Sequence, residues 1–228
     1  MKVLIVAAHP DDEILGCGGI AARHADDGDQ VNIIILAEGV TSRKSDSDST
    51  VNQQIRDLQE SAKLAADILG CEPPEFVGLP DNRMDGLDLL DIVRSVEDFV
   101  HRIEPDLVYT HHASDINIDH RITHQAVVTA CRPLPTSCVR AIYTFETVSS
   151  TEWGHSLSGI KFQPLIYIDI TKQLPRKLKA LGQYTSEMQP FPHARSFKAI
   201  EALATLRGSE TGFEAAEAFG IVYDRRSQ

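Results

Sequence analysis

Val3-Leu4-Ile5-Val6-Ala7-Ala8-His9-Pro10-Asp11-Asp12-Glu13 is the stretch on which the reading of this chain turns. Val3 to Ala8 is a continuous apolar run containing β-branched residues, and Pro10 biases His9 toward extended backbone. A run without polar alternation suits a central strand of a parallel sheet, covered on both faces. Asp11 and Asp12 then offer an N-cap and an acidic first turn for a helix reaching about Asp27, with Gly28 as its stop. Polar residues at that junction lie where open α/β sheets bind ligands, beyond the carboxyl end of a strand.

Outward from this unit the same rhythm recurs. Val31 to Leu36 reads as a second strand, and the polar residues 41–50 as a surface loop. Ile55, Leu58, Ala62, Ala65 and Leu69 form a helical stripe ending at Gly70; Leu89, Ile92, Val93, Val96, Phe99, Val100 and Ile103 form another. Leu107–Thr110 reads as a short buried strand, followed by a helix near 119–131 and strands near 141–145 and 165–170. Helices near 172–185 and 195–207 complete the chain, the last stopped by Gly208. Alternating strands and helices imply right-handed crossovers and an α/β, doubly wound, mostly parallel sheet with helices on both faces. No repeat, low-complexity tract or linker divides residues 1–228, so one domain is expected.

Composition narrows the partners. The chain has 228 residues, 22 Lys+Arg and 33 Asp+Glu, a net charge of −11, and 42% hydrophobic residues. That is globular, and too acidic for sequence-blind binding to nucleic-acid phosphates. No apolar run approaches the roughly 20 residues of a membrane span, and the N-terminus turns acidic too early for a secretory signal. Cys17, Cys71, Cys131 and Cys138 form no CxxC pair or disulfide framework, so a reducing cytoplasm is the expected compartment.

A second polar cluster, His111-His112-Ala113-Ser114-Asp115-Ile116-Asn117-Ile118-Asp119-His120, follows the 107–110 strand. Two clusters of His and Asp at two strand ends are material for a divalent metal. Catalytic zinc takes three such ligands and keeps one position for water, and a spare carboxylate then serves as proton acceptor. Each residue also has a plainer use: Asp-Asp can cap a helix, and a lone His is usually packed or surface-exposed. Gly16-Cys17-Gly18-Gly19 lacks dinucleotide-loop spacing and is better read as permitting close helix packing or a bent helix start. GxSxG, HExxH and P-loop patterns are absent. Trp153 reads as a packed or surface residue, with stacking on a sugar face as the functional alternative.

Ala8-His9-Pro10-Asp11-Asp12-Glu13 with Gly16-Cys17-Gly18-Gly19 resembles the signature of the PIG-L/LmbE-like N-acetylglucosamine deacetylases. The likeness continues through Arg56-Asp57-Leu58-Gln59-Glu60, Leu79-Pro80-Asp81, Thr110-His111-His112, Asp119-His120 and Ala215-Ala216-Glu217-Ala218-Phe219. It implies a Rossmann-like fold and Zn²⁺-dependent hydrolysis of an N-acetyl group on an amino sugar or its conjugate. By position, His9, Asp12 and His120 would bind the zinc, Asp11 would activate its water, and Arg56 would line the substrate pocket. Relatives that assemble leave a homo-oligomer open.

One departure stands out. Asn117 occupies the first position of a motif that is His-Pro-Asp-His in many members. Asn can stabilise an oxyanion, a contact worth about 3 kcal/mol when preorganised, yet it supplies no proton. The expected arrangement has Asn117 as polariser and Asp11 returning the proton it took, with His111, His112 and His124 as other proton sources. Asp119 is expected to orient Asn117 or a ligand from behind. The competing readings are a non-catalytic sugar- or metal-binding member of the fold and, further off, a non-haem Fe(II) oxygenase.

Overall fold

A computed structural model describes residues 1–42 and 48–226 of the chain. β1 (Lys2–Ala7) is the strand on which the rest is laid. Its alternate side chains go to opposite faces: Val3, Ile5 and Ala7 enter one apolar cluster, and Leu4 and Val6 enter another. β2 (Gln30–Ala37) and β4 (Leu107–His111) pair with β1 in parallel, one on each side. β3 (Glu75–Leu79) and β5 (Ala141–Phe145) continue the parallel sheet outward. Beyond β5, β7 (Ala216–Asp224) runs antiparallel and β6 (Ile166–Asp169) forms the edge, giving the order β3-β2-β1-β4-β5-β7-β6.

α1 (Asp12–Asp26), α2 (Asp48–Leu69) and α6 (Leu174–Leu181) cover the first face, while α3 (Leu89–Ile103) and α4 (Ile118–Ala130) cover the second. α5 (His155–Ser158) is a single turn, and α7 (Phe197–Ser209) packs on β6 and β7. Among the described residues no helix is long and apolar enough to cross a membrane.

The α/β, mostly parallel architecture is the expected one, with three differences. β3 and β7 are strands that the apolar patterning does not predict. Residues 48–50 of the expected 41–50 loop begin α2, 41–42 form a turn, and 43–47 lie outside the described residues.

The Gly16-Cys17-Gly18-Gly19 stretch has a packing reason. A Cβ on Gly16 would lie 2.2 Å from the Phe145 ring, and one on Gly19 would lie 2.7 Å from Ile170. The same close approach lets Glu217 of β7 accept the N–H groups of Gly19 (2.8 Å) and Ile20 (2.7 Å). Lys177 of α6 bonds the Leu15 carbonyl (2.8 Å) and Glu217 (2.6 Å). The late Ala-Glu-Ala-Phe stretch is thus clamped to the helix that begins beside the first strand.

Because β2 lies on one side of β1 and β4 on the other, the strand order reverses there, which opens a crevice at the carboxyl ends of β1 and β4. Val6 is in register with Thr110. The residues following each strand, His9 to Glu13 and His112 to His120, therefore emerge side by side.

Candidate metal centre and active site

Three side chains meet at that crevice. His9 Nδ1 lies 3.3 Å from His120 Nε2 and 3.3 Å from Asp12 Oδ2, and His120 Nε2 lies 3.2 Å from Asp12 Oδ2. The triangle is nearly equilateral. Ligands about 2.0–2.1 Å from a tetrahedral ion are separated by roughly 3.3 Å, so the spacing fits a zinc-sized cation bound by N and O donors. Asp12 Oδ1, buried and without a hydrogen-bond partner, adds an unmet demand for positive charge at the same place.

Carboxylates back both imidazoles. His9 Nε2 is 3.1 Å from Asp119 Oδ2 and 3.1 Å from Asp81 Oδ1, and His120 Nδ1 is 3.1 Å from Asp115 Oδ2. This is the arrangement that fixes the ring orientation of metal-binding histidines. Asp119 is held in turn by the N–H groups of Asn82 (2.6 Å) and Met84 (3.1 Å). Burial opposes charge on His9, but hydrogen bonds to Asp119, Asp12 and Asp81 hold its pKa well above 6.5. His120 is also buried, and Asp12 and Asp115 push it up to about 9. Burial raises the Asp12 carboxyl, yet the imidazoles of His120 and His111 bring it well below the usual range. These groups could hold a metal ion.

Asp11 sits at the N-cap position of α1 and makes no capping bond with its side chain, so capping does not explain it. Its backbone has φ 108°, unusual for a residue with a Cβ and costing of order 1–3 kcal/mol. Three of the four non-glycine residues with positive φ among those described, Asp11, Asn82 and Ser149, touch this site. The Asp11 N–H donates to Glu13 Oε2 (3.0 Å), and Glu13 accepts the Tyr184 hydroxyl. Asp11 Oδ2 accepts Arg195 Nη1 at 2.7 Å. Burial, together with Asp12, Glu187 and Glu13, raises the Asp11 carboxyl well above the ordinary value, and Arg195 pulls against that rise. Arg195 itself is steadied by Ser149, whose Oγ accepts its Nε at 2.8 Å.

The remaining candidates are placed as follows. Asn117 is the N-cap of α4: its Oδ1 accepts the Asp119 N–H (2.8 Å) and its Nδ2 donates to Asn82 Oδ1 (3.0 Å). Arg56 is exposed on α2 and donates to Gln53 Oε1, apart from the cluster. His111 is fully buried and stacks on His120 with centroids 3.9 Å apart; its Nε2 accepts the Ala8 N–H (2.9 Å), which leaves it a packing role. His124 donates to the His111 carbonyl, and His112 Nδ1 accepts from Ser114. Sequence reasoning assigns no role to Asp81, Asp115 or Arg195. The first two stand in recognisable stretches near the ligands, whereas Arg195 is 184 residues from Asp11 and carries no local signal.

The family model PIG-L, GlcNAc-PI de-N-acetylase, matches residues 4–131. An uncharacterised Escherichia coli deacetylase, YaiS, is 32% identical over 81% of this chain and 90% of its own length. The solved N,N'-diacetylchitobiose deacetylase of Pyrococcus horikoshii superposes with a TM-score of 0.77 at 20% identity, covering 97% of this chain and 83% of that one. A 4-carboxy-2-hydroxymuconate hydratase of Pseudomonas putida superposes with 0.79 at 22% identity, over 100% and 98%. The match from β1 through α4, which contains all three residues of the triangle, places this chain in the PIG-L family of deacetylases.

Proposed function

We propose that this protein is a zinc-dependent N-deacetylase of N-acetylglucosamine-type sugars. The observation that carries the reading is the His9, Asp12, His120 triangle with 3.2–3.3 Å edges and a buried carboxylate, Asp11, next along the chain. Zinc bound there would supply Lewis acidity, polarising the acetyl carbonyl and acidifying water. Asp11 then accepts the proton of the attacking water, and Arg195 favours its carboxylate form against burial and the neighbouring acids. The proton returns from Asp11 to the departing amine, since Asn117 is no acid. Asn117 retains one amide hydrogen beyond its bond to Asn82 and is assigned to the developing oxyanion. Asp119 and Asp81 orient His9, and Asp115 orients His120. Arg56, exposed on α2 and bonded to Gln53, takes no part in this reading.

Acetate release from a panel of N-acetylglucosamine conjugates by the zinc-loaded protein is the test. Asp11→Asn should lower turnover by roughly 10²–10⁴-fold with zinc still bound. Turnover unchanged in that variant, or no acetate from any conjugate, would overturn the reading. The hydratase likeness makes water addition to a C=C bond the rival reaction. Loss of substrate absorbance without acetate would identify it.

A further inference from the structure

Arg195 forms one wall of a cavity of about 380 Å³ that also includes Trp153, Ser186, Glu187, Gln189 and His193. The volume lies within the range of small-molecule sites. Since Arg195 Nη1 rests on Asp11 Oδ2, the cavity adjoins the reacting end of the crevice.

Trp153 is the chain's single tryptophan and is 50% exposed. Among the described residues no ring or cation stacks on it. The turn that carries it is held by hydrogen bonds. The Ser149 and Ser150 N–H groups bond the Glu152 carboxylate (2.7 and 2.9 Å), and Thr151 Oγ1 accepts the Thr147 N–H and donates to Asp115 (2.6 Å). Asp115 also holds His120. One carboxylate thereby ties a metal-binding histidine to the turn that presents the indole. A rigid aromatic face left open to water beside hydrogen-bonding side chains suits a ring that is apolar on one face and hydroxylated at its edge.

Charge narrows the ligand further. Among the described residues Arg195 is the only Lys or Arg lining the cavity, and it is already engaged by Asp11 (2.7 Å) and Glu187 (3.5 Å). A carboxylate or phosphate entering here would meet Glu187 with no uncommitted cation.

On the basis of the deacetylase reading, we propose that this cavity holds a second, uncharged sugar ring stacked on Trp153, so that the substrate is a neutral N-acetylated di- or oligosaccharide. Gln189, Ser186 and His193 supply hydrogen bonds to its hydroxyls.

The test compares kcat/KM for N-acetylglucosamine, N,N'-diacetylchitobiose, N-acetylglucosaminyl malate and N-acetylglucosamine 1-phosphate. Titration of Trp153 fluorescence with each sugar in the Asp11→Asn protein accompanies it. The disaccharide should exceed each of the others by about tenfold or more, and should give a saturable fluorescence change. Trp153→Ala should raise KM for the disaccharide and collapse its advantage over the monosaccharide, and Trp153→Phe should restore part of it. Equal use of mono- and disaccharide without a fluorescence response, or preference for an anionic conjugate, overturns the proposal. Acetate release with no fluorescence response defeats this assignment and leaves the deacetylase standing. Saturable fluorescence with no acetate from any sugar does the reverse.

Discussion

Replacing Arg195 by methionine keeps an unbranched stem of similar length and removes the charge that faces Asp11. Asp11 is 2% exposed, with Asp12, Glu13 and Glu187 all pushing its carboxyl upward along with burial. Its one opposing cation is the guanidinium, 2.7 Å away. Charge centres roughly 4 Å apart attract by about 4 kcal/mol at an effective dielectric near 20. That attraction favours the ionised carboxylate and offsets part of what burial and the neighbouring acids do. Water entering the vacated volume returns part of it. The acid limb of the kcat/KM profile should therefore move to higher pH, with activity recovering as pH rises. Arg195→Lys should restore most of the limb, because it replaces the point charge but cannot also bridge to Ser149. The assay is acetate release from pH 5 to 10 with fold and zinc content checked. A uniform loss at every pH with the limb unmoved would refute the reasoning, since it would mean that Arg195 acts on substrate or folding and not on the base.

Other outcomes follow from the same contacts. Asp115→Asn should weaken zinc binding by about 10–100-fold, measured by chelator competition, because it removes the acceptor that orients His120. Burial raises the Asp115 carboxyl, but hydrogen bonds and charge from His120 with the Ser150 and Thr151 hydroxyls bring it to about 2. Its stabilisation is present above the ordinary value of 3.8 and is lost as pH falls toward 2, so the variant's denaturation midpoint should vary less between pH 5 and 3. Lys177→Met should cost about 3–5 kcal/mol in urea unfolding by stranding buried Glu217, and Lys177→Met with Glu217→Leu should cost less than Lys177→Met alone.

How far the sequence leads depends on how local the cause is. β1 and β4 are short apolar runs ending in His-rich stretches, so strand, crevice and ligand candidates all follow from neighbouring residues. β3, Glu75-Phe76-Val77-Gly78-Leu79, is half-buried, follows Pro73-Pro74 and takes φ +80° at Gly78, which hides it from an apolar-run criterion. β7 begins Ala-Glu-Ala-Phe-Gly, poor in β-branched residues, and exists because β5 and β6 flank it. Asp11 reads equally well as a cap until its oxygen is seen on Arg195. Asn117 reads as a catalytic substitution, while in the fold its Oδ1 is spent on capping α4. Pairwise roles across 184 residues leave no periodic trace.

Charge balance at the centre yields a last expectation. Asp12, Asp81, Asp115 and Asp119 are all buried, and among the described residues none pairs with a Lys or Arg; their cationic partners are His9 and His120. Without metal, those carboxylates favour the protonated form of both imidazoles, pushing His120 up to about 9 and His9 well above its usual value. A dication brings the same two charges, but it requires the lone pairs of His9 Nδ1 and His120 Nε2, which the protons occupy. Zinc bound at the triangle would therefore be exchanged at pH 7 for about two protons. Calorimetric titration of the metal-free protein in buffers of different ionisation enthalpy counts them. Release near two fits the triangle as the binding site, whereas release near zero would place the metal on groups other than these histidines.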